Sequence, residues 1–175
     1  MFAMNREVNQ AELVEFIGER NHWVLTTVKQ SGGVQVSPVT GAISADGMLM
    51  IATYPERAKV HNIRRNGSVS ICVLSEDFGG AWVQVDGDAV IVDLPDAVDG
   101  LVEYYRAAAG EHPDWDEYKR AMERQGKCMI QISITEWGPI ATGGFPSSKR
   151  AMFEKWQPGG EFSDEAQSSP EMFDD

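Results

Sequence analysis

The sequence MLMIATYPERAKVHNIRRNGSVSICV, residues 48–73, predicts a strand, a short helix and a second strand in close succession. The apolar run at its start is typical of a buried strand, and the residues after Gly67 alternate as those of a half-buried strand do. Between the two runs, Pro55 suits the first turn of a helix that begins near Tyr54, and Asn66-Gly67 suits its end.

The residues before this stretch predict one helix and three strands. Asn9 and Glu12 have the spacing of a capping box at the start of a helix that extends to about residue 20. Strands rich in β-branched and apolar residues follow at 22–30, 34–44 and 48–53. Asp46-Gly47 is a typical hairpin turn, and short connections between successive strands indicate an antiparallel sheet.

The residues after the opening stretch predict further strands around a pair of helices. Residues 81–93 form either a hairpin that turns at Asp86-Gly87 or one bent strand with a glycine bulge. Residues 95–124 have a helical pattern in two pieces, and residues 127–137 return as a strand. Six or so antiparallel strands with attached helices, without βαβ alternation, predict a mainly β, α+β fold built on a small barrel.

The negative charge of the chain is concentrated near its end. The formal net charge is −12, and residues 151–175 contain seven acidic residues and one basic residue, a net 1 − 7 = −6. We therefore expect a single domain over residues 1–150 and an acidic, largely flexible tail over 151–175. An acidic chain without a signal peptide or an apolar run of membrane-spanning length is expected to be cytoplasmic and to bind neither nucleic acid nor membranes.

Positive charge gathers at residues 53–67, which contain four basic residues and one acidic residue, a net 4 − 1 = +3. A solvated helix face is the ordinary explanation of such a cluster. The alternative is an anion site in which a helix N-terminus, the Thr53 hydroxyl, Arg57 and Lys59 hold a phosphate. Positions 57 and 59 are about 200° apart around an ideal helix. The two side chains therefore converge on one anion only if Arg57 lies at the helix entry. Otherwise they bind different parts of a long ligand.

The side chains alone suggest no reactive centre. The three histidines share no metal-ligand spacing with one another or with the cysteines, and phosphate-loop, dinucleotide-binding and nucleophile-elbow motifs are absent. Cys72 and Cys128 lie in separate apolar runs and are predicted to be free thiols. An enzyme with this sequence would therefore take its reactive group from a cofactor.

Three segments together resemble the pyridoxamine 5'-phosphate oxidase-like split β-barrel superfamily. They are GGVQVSPV (32–39), the opening stretch (48–73) and AWVQVDGDAVIV (81–92). The order of a strand, Arg57-x-Lys59, a helix with Asn62-Ile63 and another strand carries the resemblance. It is closest to the actinobacterial reductases that use the deazaflavin F420, although these motifs do not separate F420 from FMN.

The resemblance implies a homodimer with a cofactor at the subunit interface. The cofactor ring would lie against Val36, Ser37, Pro38 and Val39, and the phosphate would be held by Ala52, Thr53, Arg57 and Lys59. No side chain is assigned as a catalytic acid or base. The implied function is transfer of a hydride from reduced F420 to an unsaturated small-molecule acceptor. The alternatives are an FMN-dependent oxidoreductase and a noncatalytic protein that binds or senses the cofactor.

Several residues depart from the pattern of the superfamily. Glu56 and Ala58 flank Arg57 where the true pyridoxamine phosphate oxidases have a serine before the basic residue, and their C-terminal Arg/His motif has no counterpart. Pyridoxine chemistry is therefore not expected. Gly41 stands where bulkier residues are common, which predicts open space over the ring. Pro38 predicts a place on an edge strand or at a bulge.

Overall fold

The computed structural model describes residues 3–149, in which nine strands and four α-helices are present. The strands are β1 (Met4–Arg6), β2 (His22–Val28), β3 (Val34–Thr40), β4 (Ala42–Ile43), β5 (Leu49–Thr53), β6 (Ser68–Leu74), β7 (Trp82–Val92), β8 (Cys128–Trp137) and β9 (Ile140–Thr142). The α-helices are α1 (Gln10–Gly18), α2 (Ala58–Arg65), α3 (Ala97–Ala109) and α4 (Trp115–Gln125), and a 3₁₀ helix covers Ser147–Lys149. The excess over the six or so expected strands comes from the short β1, β4 and β9. The predicted acidic tail lies outside the described residues.

The sheet is antiparallel and curls into a half-barrel, which confirms the predicted split-barrel class. Its strand order is β3-β2-β6-β7-β8-β5-β4, while β9 joins β1 to β7. β2 pairs with β3, and β4 pairs with β5 through the expected hairpin, but these two pairs lie at opposite ends of the sheet. Because the sheet curls, β3 and β5 come close to each other without pairing.

Alternation along the strands places one face of the sheet in the core. In β2, Trp23, Leu25 and Thr27 are buried, whereas the residues between them are partly exposed. The inner face packs against α1 through Leu13 and Ile17, while a second apolar cluster joins α3 and α4 to the sheet. Each fully buried large apolar side chain stabilises the fold by about 1.5–3 kcal/mol.

β7 is one long strand with a bulge, which decides between the two alternatives for residues 81–93. Its pairing with β8 shifts register between Asp86 and Gly87. A Cβ atom at position 87 would lie 2.6 Å from the carbonyl oxygen of Ser133, so the close approach of the two backbones requires glycine.

The predicted start of α1 is confirmed, whereas the predicted start of α2 is wrong. At α1, Asn9 Oδ1 accepts from the Glu12 N–H at 3.0 Å and Glu12 Oε2 accepts from the Asn9 N–H at 2.9 Å, which is the predicted capping box. α2 begins at Ala58 and not near Tyr54. Residues 54–57 form a turn in which the Arg57 N–H donates to the Tyr54 carbonyl at 3.1 Å. Pro55 occupies the second position of this turn, which its fixed φ suits equally well.

The predicted pair of helices between residues 95 and 124 is present as α3 and α4, separated by Gly110–Asp114. Within the described part of the chain, no helix combines the length and apolar character needed to cross a membrane.

Candidate cofactor site

A cavity of about 280 Å³ lies in the gap between β3 and β5. Its lining comes from the end of β3, from β5 and the turn after it, from the start of α2 and from α3: Pro38, Val39, Thr40, Ile51, Ala52, Thr53, Tyr54, Arg57, Lys59 and Tyr104. The structure therefore brings six of the eight predicted site residues together in one cavity. The other two, Val36 and Ser37, do not line it.

Both strands that border the cavity have an edge without a strand partner. Among the strands of residues 3–149, β3 pairs only with β2, and β4 covers only Leu49 and Met50 of β5. The edge of β5 beyond Met50 therefore presents backbone N–H and C=O groups that a ligand in the gap can bind. Pro38 lies within β3 opposite Val24, so the edge-strand prediction for this proline is correct.

Arg57 and Lys59 place positive charge at this cavity. Arg57 is the exposed N-cap residue of α2, and Lys59 is half-buried in its first turn. Burial lowers the pKa of the Lys59 ammonium, and the nearby positive charge of Arg57 lowers this pKa further. Arg57 thus lies at the helix entry, which is the geometry under which the two side chains can converge on one anion.

The other two basic residues of α2 have different roles. Arg64 binds both carboxylate oxygens of Asp93 at 2.6 and 2.7 Å, and Arg65 donates to the Val28 carbonyl at 2.7 Å. Within residues 3–149, neither Arg57 nor Lys59 makes a side-chain hydrogen bond or an ion pair with a carboxylate. Of the four basic residues in this segment, the two at the cavity are therefore the ones whose side chains have no polar partner in the described part of the chain.

Two tyrosines and a lysine, none of which is predicted from the sequence as a site residue, complete the surroundings of the cavity. The Tyr104 hydroxyl of α3 donates to the Thr40 carbonyl at 3.1 Å, and burial raises the pKa of this phenol. Lys127 Nζ lies 4.6 Å from the centre of the Tyr54 ring. Lys127 immediately precedes β8, and the pairing of Thr53 with Cys128 brings it beside the cavity. Only the register of the sheet reveals this proximity.

A buried polar network fixes α2 against β2 and β3. Ser37, which is 8% exposed, accepts from Gln35 Nε2 at 2.5 Å, and Thr27 Oγ1 donates to Gln35 Oε1 at 3.2 Å. Asn62 Nδ2 donates to Thr27 Oγ1 at 3.0 Å, and Arg65 Nη2 donates to Asn62 Oδ1 at 3.0 Å. The Ser37 side chain thus lies in a network that holds α2, and with it Arg57 and Lys59, in position. His61 is exposed on α2 and does not line the cavity.

Comparison with known proteins identifies the family. A family model described as pyridoxamine 5'-phosphate oxidase matches residues 10–141, well over half of the chain. The chain belongs to the pyridoxamine 5'-phosphate oxidase family. The matched residues contain the whole lining of the cavity.

Solved structures of low sequence identity share the fold of this pyridoxamine 5'-phosphate oxidase family member. A conserved hypothetical protein of Mycobacterium tuberculosis (Rv2991) is 21% identical with a TM-score of 0.65, over 80% of this chain and 89% of that one. An F420 reductase is 23% identical with a TM-score of 0.54, over 71% and 94% of the two chains. An FAD-binding protein of Mesorhizobium loti is 19% identical with a TM-score of 0.54, over 81% and 99%.

Gly41 has a different role from the one predicted for this member of the family. A Cβ atom at position 41 would lie 1.9 Å from Cε3 of the buried Trp23 ring. The prediction that Gly41 leaves open space over a cofactor ring is therefore wrong, because the Trp23 indole fills that space. The absence of a side chain at Gly41 allows the indole to pack beneath β3.

The residues at the cavity fit the phosphate-bearing end of the flavin-type cofactors that this family fold binds. Two positive charges without an acidic partner, the Thr53 side chain and the unpaired backbone edge of β5 together suit an anion with several acceptor oxygens. Among the described residues, no group of three or more His, Cys, Asp or Glu side chains is arranged to hold a metal ion.

Proposed function

We propose that this protein is an oxidoreductase that binds reduced F420 and transfers a hydride to an unsaturated small-molecule acceptor. The observation that carries the proposal is the pair Arg57 and Lys59 at the cavity between β3 and β5. A half-buried ammonium beside a guanidinium, with no carboxylate partner in residues 3–149, is unfavourable unless an anion binds there. A phosphate would place negative charge beside both side chains and accept hydrogen bonds from both.

The size of the cavity indicates how much of the cofactor it holds. At about 280 Å³ it is just below the usual range of small-molecule pockets, about 300–1,000 Å³. It suits the phosphate and the adjoining chain of the cofactor, while the ring extends past Pro38 and Val39 over the end of β3. In this arrangement Thr53, Arg57 and Lys59 hold the anionic end.

Lys127 favours F420 over FMN. FMN has one phosphate, whereas F420 has additional carboxylates beyond its phosphate. Lys127 continues the positive surface past Tyr54, and no acidic side chain within residues 3–149 pairs with it. With Arg57 and Lys59, Lys127 makes three positive charges, which is more than one phosphate requires. In addition, the structure of an F420 reductase is among those that share the fold.

When bound and reduced, the cofactor supplies one hydride and one proton, which together convert an unsaturated acceptor A into AH₂. The protein binds the anionic end and orients the ring. No side chain of the chain is assigned as the proton donor.

An FMN-dependent oxidoreductase is the second candidate. The family description and the similarity to an FAD-binding protein support it. The two candidates differ in how they depend on Lys127, because its charge has a partner only in the longer, more anionic cofactor.

Parallel fluorescence titrations with F420 and FMN test the proposal. We expect tighter binding of F420, and we expect Lys127→Ala to weaken F420 binding about tenfold while changing FMN binding little. Lys29→Ala is the matched control, since Lys29 is exposed at the opposite end of β3. Micromolar binding of FMN without a response to F420 would support the second candidate, and binding of neither would refute both.

We further propose that the active form is a homodimer with the cofactor at the subunit interface. The outer face of β3 exposes Val34 (59%) and Val36 (54%), which a second subunit would cover together with the cofactor ring. Sedimentation at micromolar concentration tests this proposal. A monomer near 19 kDa that still binds cofactor would contradict a shared site.

A further inference from the structure

A second groove, of about 480 Å³, shares one wall with the cofactor cavity. Pro38, Val39 and Thr40 border both spaces, so the end of β3 forms a ridge between them. The remaining lining comes from β2, β6 and the loop after β6: His22, Trp23, Val24, Leu74 and Phe78. Most of these side chains are apolar, in contrast to the basic cofactor cavity.

Phe78 is the most exposed large apolar residue among those described, at 89%. Its loop is nevertheless fixed by hydrogen bonds: the Gly80 N–H donates to the Asp77 carbonyl at 2.8 Å, and the Ser75 hydroxyl donates to the Ala81 carbonyl at 2.5 Å. An ordered loop therefore presents the phenyl ring to solvent at the edge of an apolar groove. Together with the apolar lining of the groove, this ring forms a continuous exposed apolar surface, which is typical of ligand-binding grooves.

The charges around the groove select against anions. Glu76 and Asp77 precede Phe78 in the loop, and Glu76 Oε1 lies 3.4 Å from His22 Nδ1. Of the residues that the structure describes, no lysine or arginine lines the groove. Neither carboxylate lines the groove, but both lie in the loop that carries Phe78, so their negative charge disfavours an anion at the mouth of the groove.

We propose that this groove binds the hydride acceptor and that the acceptor is an uncharged, planar ring compound. The inference rests on the proposed function. A cofactor whose phosphate lies at Arg57 and Lys59 and whose ring lies over the end of β3 places its reactive face next to the groove. The proline and phenylalanine rings at positions 38 and 78 offer flat apolar contacts to a ring in the groove, and the acidic loop favours a neutral molecule over an anion.

Binding of two matched probes in the absence of cofactor tests the inference. The probes are 2-naphthamide, a neutral planar ring, and naphthalene-2-sulfonate, an anion of the same ring system. Both are measured by equilibrium dialysis against the full-length protein in an excess of inorganic phosphate, which competes with the sulfonate for Arg57 and Lys59 at the cofactor cavity. We expect 2-naphthamide to bind about tenfold more tightly than the sulfonate, and Phe78→Ser to weaken its binding about tenfold. Because Phe78 is 89% exposed, this variant is expected to fold normally. Val90→Ser, at a valine that is 58% exposed and outside the groove, is the control.

A double variant tests the preference of the groove for neutral compounds, and a kinetic measurement tests the role of the groove in turnover. Glu76→Gln with Asp77→Asn is expected to reduce the preference for the neutral probe. In turnover with a neutral acceptor, Phe78→Ser is expected to raise KM about tenfold with kcat nearly unchanged.

Two results would overturn the inference: equal binding of the two probes, or unchanged 2-naphthamide binding in Phe78→Ser. The second result can be accompanied by conversion of a dimer to a monomer. Such a conversion would assign the groove to a second copy of the chain. If 2-naphthamide binds at Phe78 but neither F420 nor FMN binds, the proposed function fails while the groove remains a ring-binding site. If F420 binds but 2-naphthamide does not, only the acceptor site is wrong.

Discussion

Arg57 and Lys59 lie side by side at the start of α2, so the guanidinium depresses the pKa of an ammonium that burial has already lowered. The neighbouring Arg64 is paired with Asp93, and Arg65 is bound to the Val28 carbonyl. Two like charges at one cavity therefore stay without compensation inside the described structure.

Lys59→Ala is expected to weaken cofactor binding by about 1.5–3 kcal/mol, roughly tenfold to a hundredfold, because it removes a charge-assisted hydrogen bond to the phosphate. Titration at increasing salt should show a shallower loss of affinity for the variant than for the parent protein, since one screened charge pair is gone. Lys29→Ala should bind as the parent does. If Lys59→Ala also binds like the parent, Arg57 and Lys59 form only a solvated helix face.

The pKa of Lys59 is expected to rise when FMN, F420 or inorganic phosphate binds, because a nearby anion favours the charged ammonium. In the ligand-free protein this pKa lies below its ordinary value of 10.5, so the folded state disfavours the charged form. The free-energy cost of the charged ammonium to the folded state is fully present at pH values below the pKa that Lys59 has in the folded protein. It disappears as the pH rises past 10.5. NMR titration of the ¹³Cε signal measures the shift directly.

Lys59→Met tests, through protein stability, the cost of the charged Lys59 ammonium to the folded state. It should stabilise the ligand-free protein at neutral pH, and the gain should vanish at high pH. A lower melting temperature for this variant at neutral pH would contradict the assignment.

Arg65→Ala and Asn62→Ala are each expected to lower the free energy of unfolding by about 1–3 kcal/mol. Either substitution removes a partner from the buried network that links Thr27 and Asn62 to Arg65. Arg65 also donates to the Val28 carbonyl at 2.7 Å, and Arg65→Ala removes this bond as well. Urea unfolding with Arg120→Ala, an exposed position expected to change stability by less than about 0.5 kcal/mol, provides the comparison.

Gly41→Ala is expected to destabilise the protein by about 1–3 kcal/mol or more, because its Cβ atom would lie 1.9 Å from the Trp23 ring. Gly18→Ala is the matched control. There the nearest atom to a new Cβ is Ile43 Cγ2 at 3.8 Å, and alanine suits the last residue of α1 better than glycine does. Thermal unfolding of both variants should therefore give shifts of opposite sign. Equal stability of Gly41→Ala and the parent would show that Trp23 can move away.

Both cysteines are expected to react slowly with iodoacetamide at pH 8. Burial raises the pKa of the Cys72 thiol and of the Cys128 thiol, so less reactive thiolate is present at a given pH than in a free cysteine. Cys128 is fully buried and should be modified only after unfolding, whereas Cys72 should react at a low but measurable rate. Mass spectrometry of the labelled protein distinguishes the two positions. Rapid modification of Cys128 in the native protein would contradict the packing of β8.

The features that the sequence predicts correctly depend on local signals. The capping box of α1 involves residues three positions apart, and the basic residues of the cavity follow directly from a strand-to-helix junction. The roles of Tyr104 and Lys127 depend on how α3 and β8 pack beside β5, which no local pattern encodes. Gly41 shows the same limit, because its close neighbour Trp23 belongs to another strand, and the clash appears only in three dimensions.

The edge of β3 that has no partner strand within residues 3–149 has a consequence for handling the protein. A strand edge that ends at a ligand gap is also a template on which a foreign strand can add, the first step of aggregation. Pro38 limits this hazard because it lacks the N–H that an added strand would need, but the remaining residues of β3 do not have this protection. A ligand in the gap would shield the edge. Preparations stripped of cofactor should therefore precipitate sooner on storage than loaded ones, so colloidal stability depends on the occupant of the gap as well as on the fold.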